Sequence, residues 1–137
     1  MDKNAFLIEL SESERSMFGK IDFAEQPRPQ QVFSAIYGLE GEVNMGGFGQ
    51  WFLNTEPEAI AFAPEALREI GATNAAAIVQ KAVSAVGLLP SDVHELEGLL
   101  EWRAAELQGF DEEFMAYPDN LTELLYAYVE AKPDDFS

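Results

Sequence analysis

The sequence predicts an all-α, compact single-domain bundle of about six or seven helices across its 137 residues. Apolar residues recur three and four positions apart almost throughout, and no convincing alternating strand pattern is found. Glycine and proline interrupt this periodicity at helix-length intervals. The hydrophobic fraction of 47%, with ten Phe, supplies enough apolar surface for a core without disulfides. We therefore expect one domain over residues 1–137.

The first helix is predicted over about residues 3–18, with Gly19 as its stop. Residues 20–29 are expected to form a linker, because Pro27 and Pro29 are incompatible with a continuous helix. Residues 1–27 thus form an N-terminal helix and linker, ahead of the main part of the bundle.

A second helix is expected over about residues 29–44, ending at the pair Gly46 and Gly47. A short helix should follow over about 48–54. The apolar side chains at helical spacing in these two segments are Val32, Phe33, Ile36, Leu39, Val43, Trp51 and Phe52.

The next helix is predicted to start after Thr55, whose hydroxyl can cap it, with Pro57 in its first turn. Pro64 either kinks this helix or begins a separate one that ends before Gly71. A further helix is expected over about 73–86. Gly87 then stops it.

The next helix is expected to be capped by Ser91 and to run to about Gln108, followed by a turn at Gly109. Asn120 and Glu123 have the spacing of a capping box for a last helix, over about 121–131. The tail after Pro133 is expected to fray.

The charge of the chain is its most unusual property. It has 25 Asp and Glu against 8 Lys and Arg, a formal net charge of −17. Such a body repels nucleic acid and anionic membranes and attracts basic partners through its field. Solubility alone requires a net charge of only about 2–8 in a small domain. We therefore expect a basic protein partner, no direct nucleic-acid binding and no membrane association; the oligomeric state stays open.

Several classes of function lack their sequence signals. The chain has no cysteine, which excludes disulfides and thiol chemistry. No signal peptide or membrane span is visible, so we expect a cytoplasmic protein. His94 is the single histidine, without partners for a metal or a catalytic triad, and no catalytic motif is found. We expect no enzyme, no metal and no cofactor.

The densest polar pattern surrounds the double glycine. Amide and carboxylate side chains flank it, and they either bond the free ends of two helices or line a small-molecule pocket. The structural interpretation is favoured, because Asn and Gln near glycine usually satisfy backbone groups. The residues of this motif are Glu42, Asn44, Gly46, Gly47, Phe48, Gln50 and Asn54.

Acidic residues concentrate in the C-terminal third. Thirteen lie between Asp92 and Asp135, opposed there by Arg103 and Lys132 alone. Glu97 and Glu101 are one helical turn apart, which resembles the spacing of phosphates along a DNA strand. A charge run is more often just a solvated face. The expected partner-binding residues are Glu97, Glu101, Asp111, Glu112, Glu113 and Glu123.

The run from Glu42 to Asn54 resembles the signature of the bacterial DNA-mimic protein family. The segment from Ala66 to Ala72 and the closing segment from Phe114 to Phe136 are also similar to it, and the likeness covers a core of about 28–132. Met45 stands where that signature usually has a second Asn. The resemblance implies an all-helical fold, surface carboxylates that occupy a DNA-binding face, and no catalytic residues.

Three functions remain open at this point. The chain could occupy the basic surface of a partner, a DNA-binding regulator among the candidates. It could instead be an immunity-type inhibitor of a basic toxin, which the same charge would serve. The third alternative is a small-ligand binder that uses the cluster of Asn44, Gln50 and Asn54.

Overall fold

The computed structural model describes residues 2–137 and confirms the predicted fold class. Within that range the chain forms one compact domain of seven α-helices and a 3₁₀ turn, without strands. None of the helices in residues 2–137 is long and apolar enough to cross a membrane. The elements are α1 (Lys3–Glu12), the 3₁₀ turn (Phe23–Glu25), α2 (Arg28–Asn54), α3 (Pro57–Glu69), α4 (Thr73–Val86), α5 (Val93–Trp102), α6 (Ala104–Met115) and α7 (Leu121–Glu130).

The long helix α2 is the centre of the bundle, and it contacts α3, α5, α6 and α7. Helix α4 packs between α3 and α6, and α1 packs on α7. The α2 side chains in the core are mostly aromatic and branched, while α3 and α4 contribute alanines that allow close helix approach. The largest side chains with almost no exposure are Trp51, Phe33, Phe48, Phe52 and Phe114.

Helix α1 ends at Glu12, six residues before the predicted end at Phe18. The reason is the serine that follows it. Both the N–H and the hydroxyl of Ser13 donate to the Leu10 carbonyl, at 3.1 Å and 2.9 Å. These local bonds replace the next helical turn, as serine side chains commonly do.

The start of α3 differs from the prediction in its cap. Pro57 is the first helical residue, as expected, but Thr55 ends α2 and does not cap α3. Glu56 occupies the cap position without a side-chain hydrogen bond. The helix continues through Pro64 as a single element, which decides between the two alternatives for that proline.

The helix predicted over 91–108 is in fact two helices. Its cap is Asp92 and not Ser91, because one Asp92 oxygen accepts from the N–H groups of His94 and Glu95 at 2.9 Å and 3.0 Å. The chain leaves helical geometry at Arg103, which ends α5 and precedes α6. Helix α6 then runs through Gly109, where a turn was expected.

The C-terminal tail is held in place, so the prediction that it frays is wrong. Phe136 is 4% exposed and its ring packs edge-on against Phe33, with 5.8 Å between ring centroids. The buried amide of Gln30 on α2 donates to the carbonyl of Asp135 at 2.7 Å and to that of Arg15 at 3.0 Å. One α2 side chain therefore fixes both the tail and the loop after α1.

Replacing Phe136 by alanine should lower the free energy of unfolding by about 3 kcal/mol, because it opens a cavity beside Phe33. Urea denaturation measures the change. Leu88→Ala is the matched control, since Leu88 is 97% exposed and its loss should change stability by less than about 0.5 kcal/mol. Equal stability of the two variants would show that the tail does not contribute to the core.

Candidate functional site

The double glycine bends α2 in its last third. Gly46 has φ −152° and ψ 15°, and Gly47 has φ 77° and ψ −177°. The positive φ of Gly47 is a conformation that favours glycine. A Cβ atom on Gly47 would also lie 2.5 Å from a carboxylate oxygen of Asp111 on α6. A break in the helix at the double glycine was predicted; the contact with Asp111 on α6 was not.

Asp111 caps the part of α2 that follows the bend. Its Oδ1 accepts the Phe48 N–H at 2.7 Å, and this N–H is one that the broken helix leaves without an internal acceptor. Burial raises the pKa of the Asp111 carboxyl; the bond from Phe48 acts against that rise, and nearby Glu112 adds to it. The structure thus places Asp111 against α2, although it was expected on the partner-binding surface.

The carboxylate of Glu42 connects the two parts of α2 that the bend separates. Its Oε2 accepts from the amide of Gln50 at 2.8 Å and from the amide of Asn54 at 3.1 Å. A Cβ on Gly46 would overlap the Gln50 side chain, 2.0 Å from its Oε1. These amides therefore bind a carboxylate across the bend, whereas we expected them to bond the free ends of helices.

Asn44 has a separate set of partners. Its amide donates to the Glu40 carbonyl at 2.8 Å and to the Tyr117 hydroxyl oxygen at 2.7 Å. That hydroxyl in turn donates to the Glu40 carboxylate at 2.9 Å. Burial first, and then proximity to Glu40, raises the pKa of Tyr117. Sequence reasoning missed Tyr117, which belongs to a distant segment with no pattern linking it to the motif.

A cleft of about 340 Å³ lies beside the bend, between α2 and the segment over residues 18–23. Glu42 and Asn54 line it, but Asn44 and Gln50 do not. The three amides grouped from the sequence therefore do not converge on one pocket. Among residues 2–137, no cluster of three or more His, Asp or Glu side chains could hold a metal ion.

Most acidic side chains have no basic partner. Within residues 2–137, only five of the 25 carboxylates lie within 4 Å of a Lys or Arg nitrogen. The five are Glu65, Glu69, Glu106, Glu113 and Glu123. The surplus of negative charge is therefore a property of the folded surface and not only of the composition.

The six carboxylates expected to bind a partner do not share one face. Lys81 on α4 donates to Glu113 at 3.0 Å, and Lys3 on α1 donates to Glu123 at 2.6 Å. With Asp111 turned to the bend, the other three are exposed and free of Lys and Arg contacts within residues 2–137. These three, here called the outer acids, are Glu97, Glu101 and Glu112.

Glu65 and Glu69 lie one helical turn apart on α3, where two like charges repel each other. Arg28 bridges the two, because its Nη2 donates to Glu65 at 2.9 Å and to Glu69 at 2.6 Å. The Tyr128 hydroxyl also donates to Glu69, at 2.8 Å. Desolvation acts to raise the pKa of Glu69, but the bonds from Arg28 and Tyr128 outweigh it and lower that pKa. The two carboxylates thus tie α3 to the start of α2.

Trp102, at the end of α5, is the functional candidate that the sequence did not reveal. Its side chain is 79% exposed, whereas Trp51 is 1% exposed. Trp102 falls outside the apolar stripe of its helix and lies between Glu101 and Arg103. A large apolar residue on the charged side of a helix was the sequence feature that could have predicted an exposed tryptophan.

Asp111→Ala should lower the free energy of unfolding by about 1 kcal/mol, because the Phe48 N–H loses its acceptor at the bend. Glu112→Ala is the matched control and should change it by less than about 0.5 kcal/mol. Chemical denaturation of both variants is the measurement. A Glu112 effect as large as that of Asp111 would contradict the capping role.

Glu69→Gln should cost stability near neutral pH and cost progressively less in acid. A carboxyl with a lowered folded-state pKa stabilises the fold above its ordinary value, 4.5, and this contribution is lost as the pH falls through the lowered pKa. Thermal unfolding of both proteins across the acid range gives the difference. A difference that is constant with pH would contradict the ionic role of Glu69.

Comparison with known proteins supplies the family. The family model described as DMP19-like protein matches residues 24–132. This range includes α2 through α7, and with them the two acids at the bend, Glu42 and Asp111. The comparison with curated proteins found no match. The comparison with solved structures found none. Since the match covers well over half of its length, the chain belongs to the DMP19-like protein family.

Proposed function

We propose that this protein binds the basic surface of a protein partner, and that the partner is a DNA-binding regulator whose DNA-contacting face it occupies. The observation that carries the proposal is the surplus of carboxylates without basic partners on a chain of the DMP19-like family. The function proposed is binding, without catalysis.

Two of the outer acids, Glu97 and Glu101, supply part of a suitable contact surface. Glu97 and Glu101 are one turn apart on α5, so their Cβ atoms are about 5–6 Å apart. A row of carboxylates at this pitch presents negative charge to a DNA-binding face much as a strand of phosphates does. Such side chains are available to a partner because folding uses none of them in an ion pair with Lys or Arg.

Charge on this scale acts before contact. A field from a net charge of −17 steers a basic partner toward the surface and increases the association rate. At physiological ionic strength the Debye length is about 8 Å, so exposed charges act over roughly one helix diameter. The proposed complex is therefore sensitive to salt.

A small-molecule binder is the second candidate, because a cleft beside the bend is lined by Glu42 and Asn54. The donors of the Asn54 and Gln50 amides already bond Glu42. This arrangement favours an architectural role for the motif. No observation in the structure specifically favours the remaining alternative, an immunity-type inhibitor of a basic toxin.

Reversing the outer acids to lysine should slow association with a basic partner captured from lysate, while leaving the fold intact, because exposed charges add little to stability. The control reverses Glu9, Glu12 and Glu58, which are exposed on α1 and α3 and give the same change in charge. Association rates are measured by surface plasmon resonance. Equal slowing in both triple variants would show that net charge acts without a defined surface.

Duplex DNA should compete with this protein for the captured partner, because both are proposed to occupy one face. Titration of DNA into the preformed complex tests this. Raising the salt to about 1 M, where the Debye length is about 3 Å, should also dissociate the complex. A complex that survives saturating DNA would refute mimicry, and an acidic partner would refute the electrostatic basis.

A further inference from the structure

The indole of Trp102 is an unused binding surface. Large aromatic side chains are usually well buried, yet this one is 79% exposed. Among residues 2–137, five cation–π pairs form, and each uses a Phe or Tyr ring; Trp102, the ring type that binds cations best, is in none of them.

The helix face beside this indole carries a glycine and an acidic residue. Gly98 precedes Trp102 by one turn and Glu95 by two, so the three residues share a face, and all are exposed. Side chains on a helix lean toward its N-terminus, which places the indole over the turn of Gly98. A Cβ on Gly98 would meet nothing within 4 Å, so packing does not require the glycine.

The neighbouring arginine of the chain does not cover this face. Arg103 follows Trp102, but its Nη1 donates to Glu106 on α6 at 2.9 Å. Its Nε is buried and makes no hydrogen bond within residues 2–137. The Arg103 side chain is therefore committed to the junction between α5 and α6. In the part of the chain that the structure describes, the carboxylates of Glu95 and Glu101 make no ion pair, and the exposed indole makes no cation–π contact.

We propose that Trp102, with Glu95 and Glu101, binds an arginine of the basic partner. The guanidinium stacks on the indole and its N–H groups pair with Glu95 on the same face, while Glu101, at the edge of that face, adds negative charge. Arginine fits better than lysine, because its planar, weakly hydrated group stacks on aromatic rings and bonds two oxygens at once. This inference rests on the proposed function and adds to it a residue preference and a position.

Charge complementarity selects the occupant. A second copy of this chain would bring another net charge of −17 to an already acidic face. Nucleic acid and anionic lipid are repelled in the same way. A basic protein surface with an accessible arginine satisfies both the indole and the carboxylates, and aromatic residues with arginine are the commonest anchors of protein interfaces.

The test compares a labelled arginine homopeptide with a lysine homopeptide of the same length, by fluorescence anisotropy, on the whole protein. The wild type should bind the arginine peptide about two- to five-fold more tightly. Trp102→Leu should remove this preference, because it should weaken binding of the arginine peptide more than binding of the lysine peptide. Arginine-peptide binding should also shift the emission of Trp102, because Trp51 is buried.

Paired charge variants locate the site. Glu95→Gln with Glu101→Gln should weaken binding of the arginine peptide more than Glu9→Gln with Glu12→Gln, which remove the same charge from α1. Binding of both peptides with equal affinity, or a preference that survives in Trp102→Leu, would overturn the inference while leaving the proposed function standing. Binding of neither peptide would overturn both.

Discussion

The hydrogen bond from the Phe48 N–H to the Asp111 carboxylate joins the bend of α2 to α6, and the arrangement of the bundle depends on this contact. The bend turns the last two turns of α2 so that Trp51 and Phe52 enter the core. It requires Gly47, both for its positive φ and because a side chain there would strike Asp111. The glycine motif and a distant acid are thus one structural unit.

The helical geometry of α6 explains why its three consecutive acids, Asp111, Glu112 and Glu113, make different contacts. Three consecutive carboxylates occupy one turn, so helical geometry points them in three directions. Asp111 faces α2, Glu113 reaches Lys81 on α4, and Glu112 faces outward. Only the outward position is available to a partner. Acidity in the sequence therefore overstates the acidity that a single surface can present.

The sequence was sufficient to predict the helices whose apolar period is regular, as α4 shows over residues 73–86. It was also sufficient for the helix break at Gly46 and Gly47, because glycine adopts backbone conformations that interrupt a helix. It was insufficient where side chains from distant segments meet. Gln30 holds both the C-terminal tail and the loop after α1, and Tyr117 bonds Asn44. Such contacts leave no local period, so the predicted fraying of the tail was wrong and the partner of Asn44 was missed.

Stability and the proposed recognition of a partner use different acids. The carboxylates that stabilise the fold are those whose charge is compensated, by Arg28 at Glu69 or by a backbone N–H at Asp111. The remainder repel one another, a cost that a core rich in aromatic residues must offset. A basic partner would relieve that repulsion when it binds. Repulsion among the carboxylates destabilises the free protein, and its relief by a basic partner would favour association.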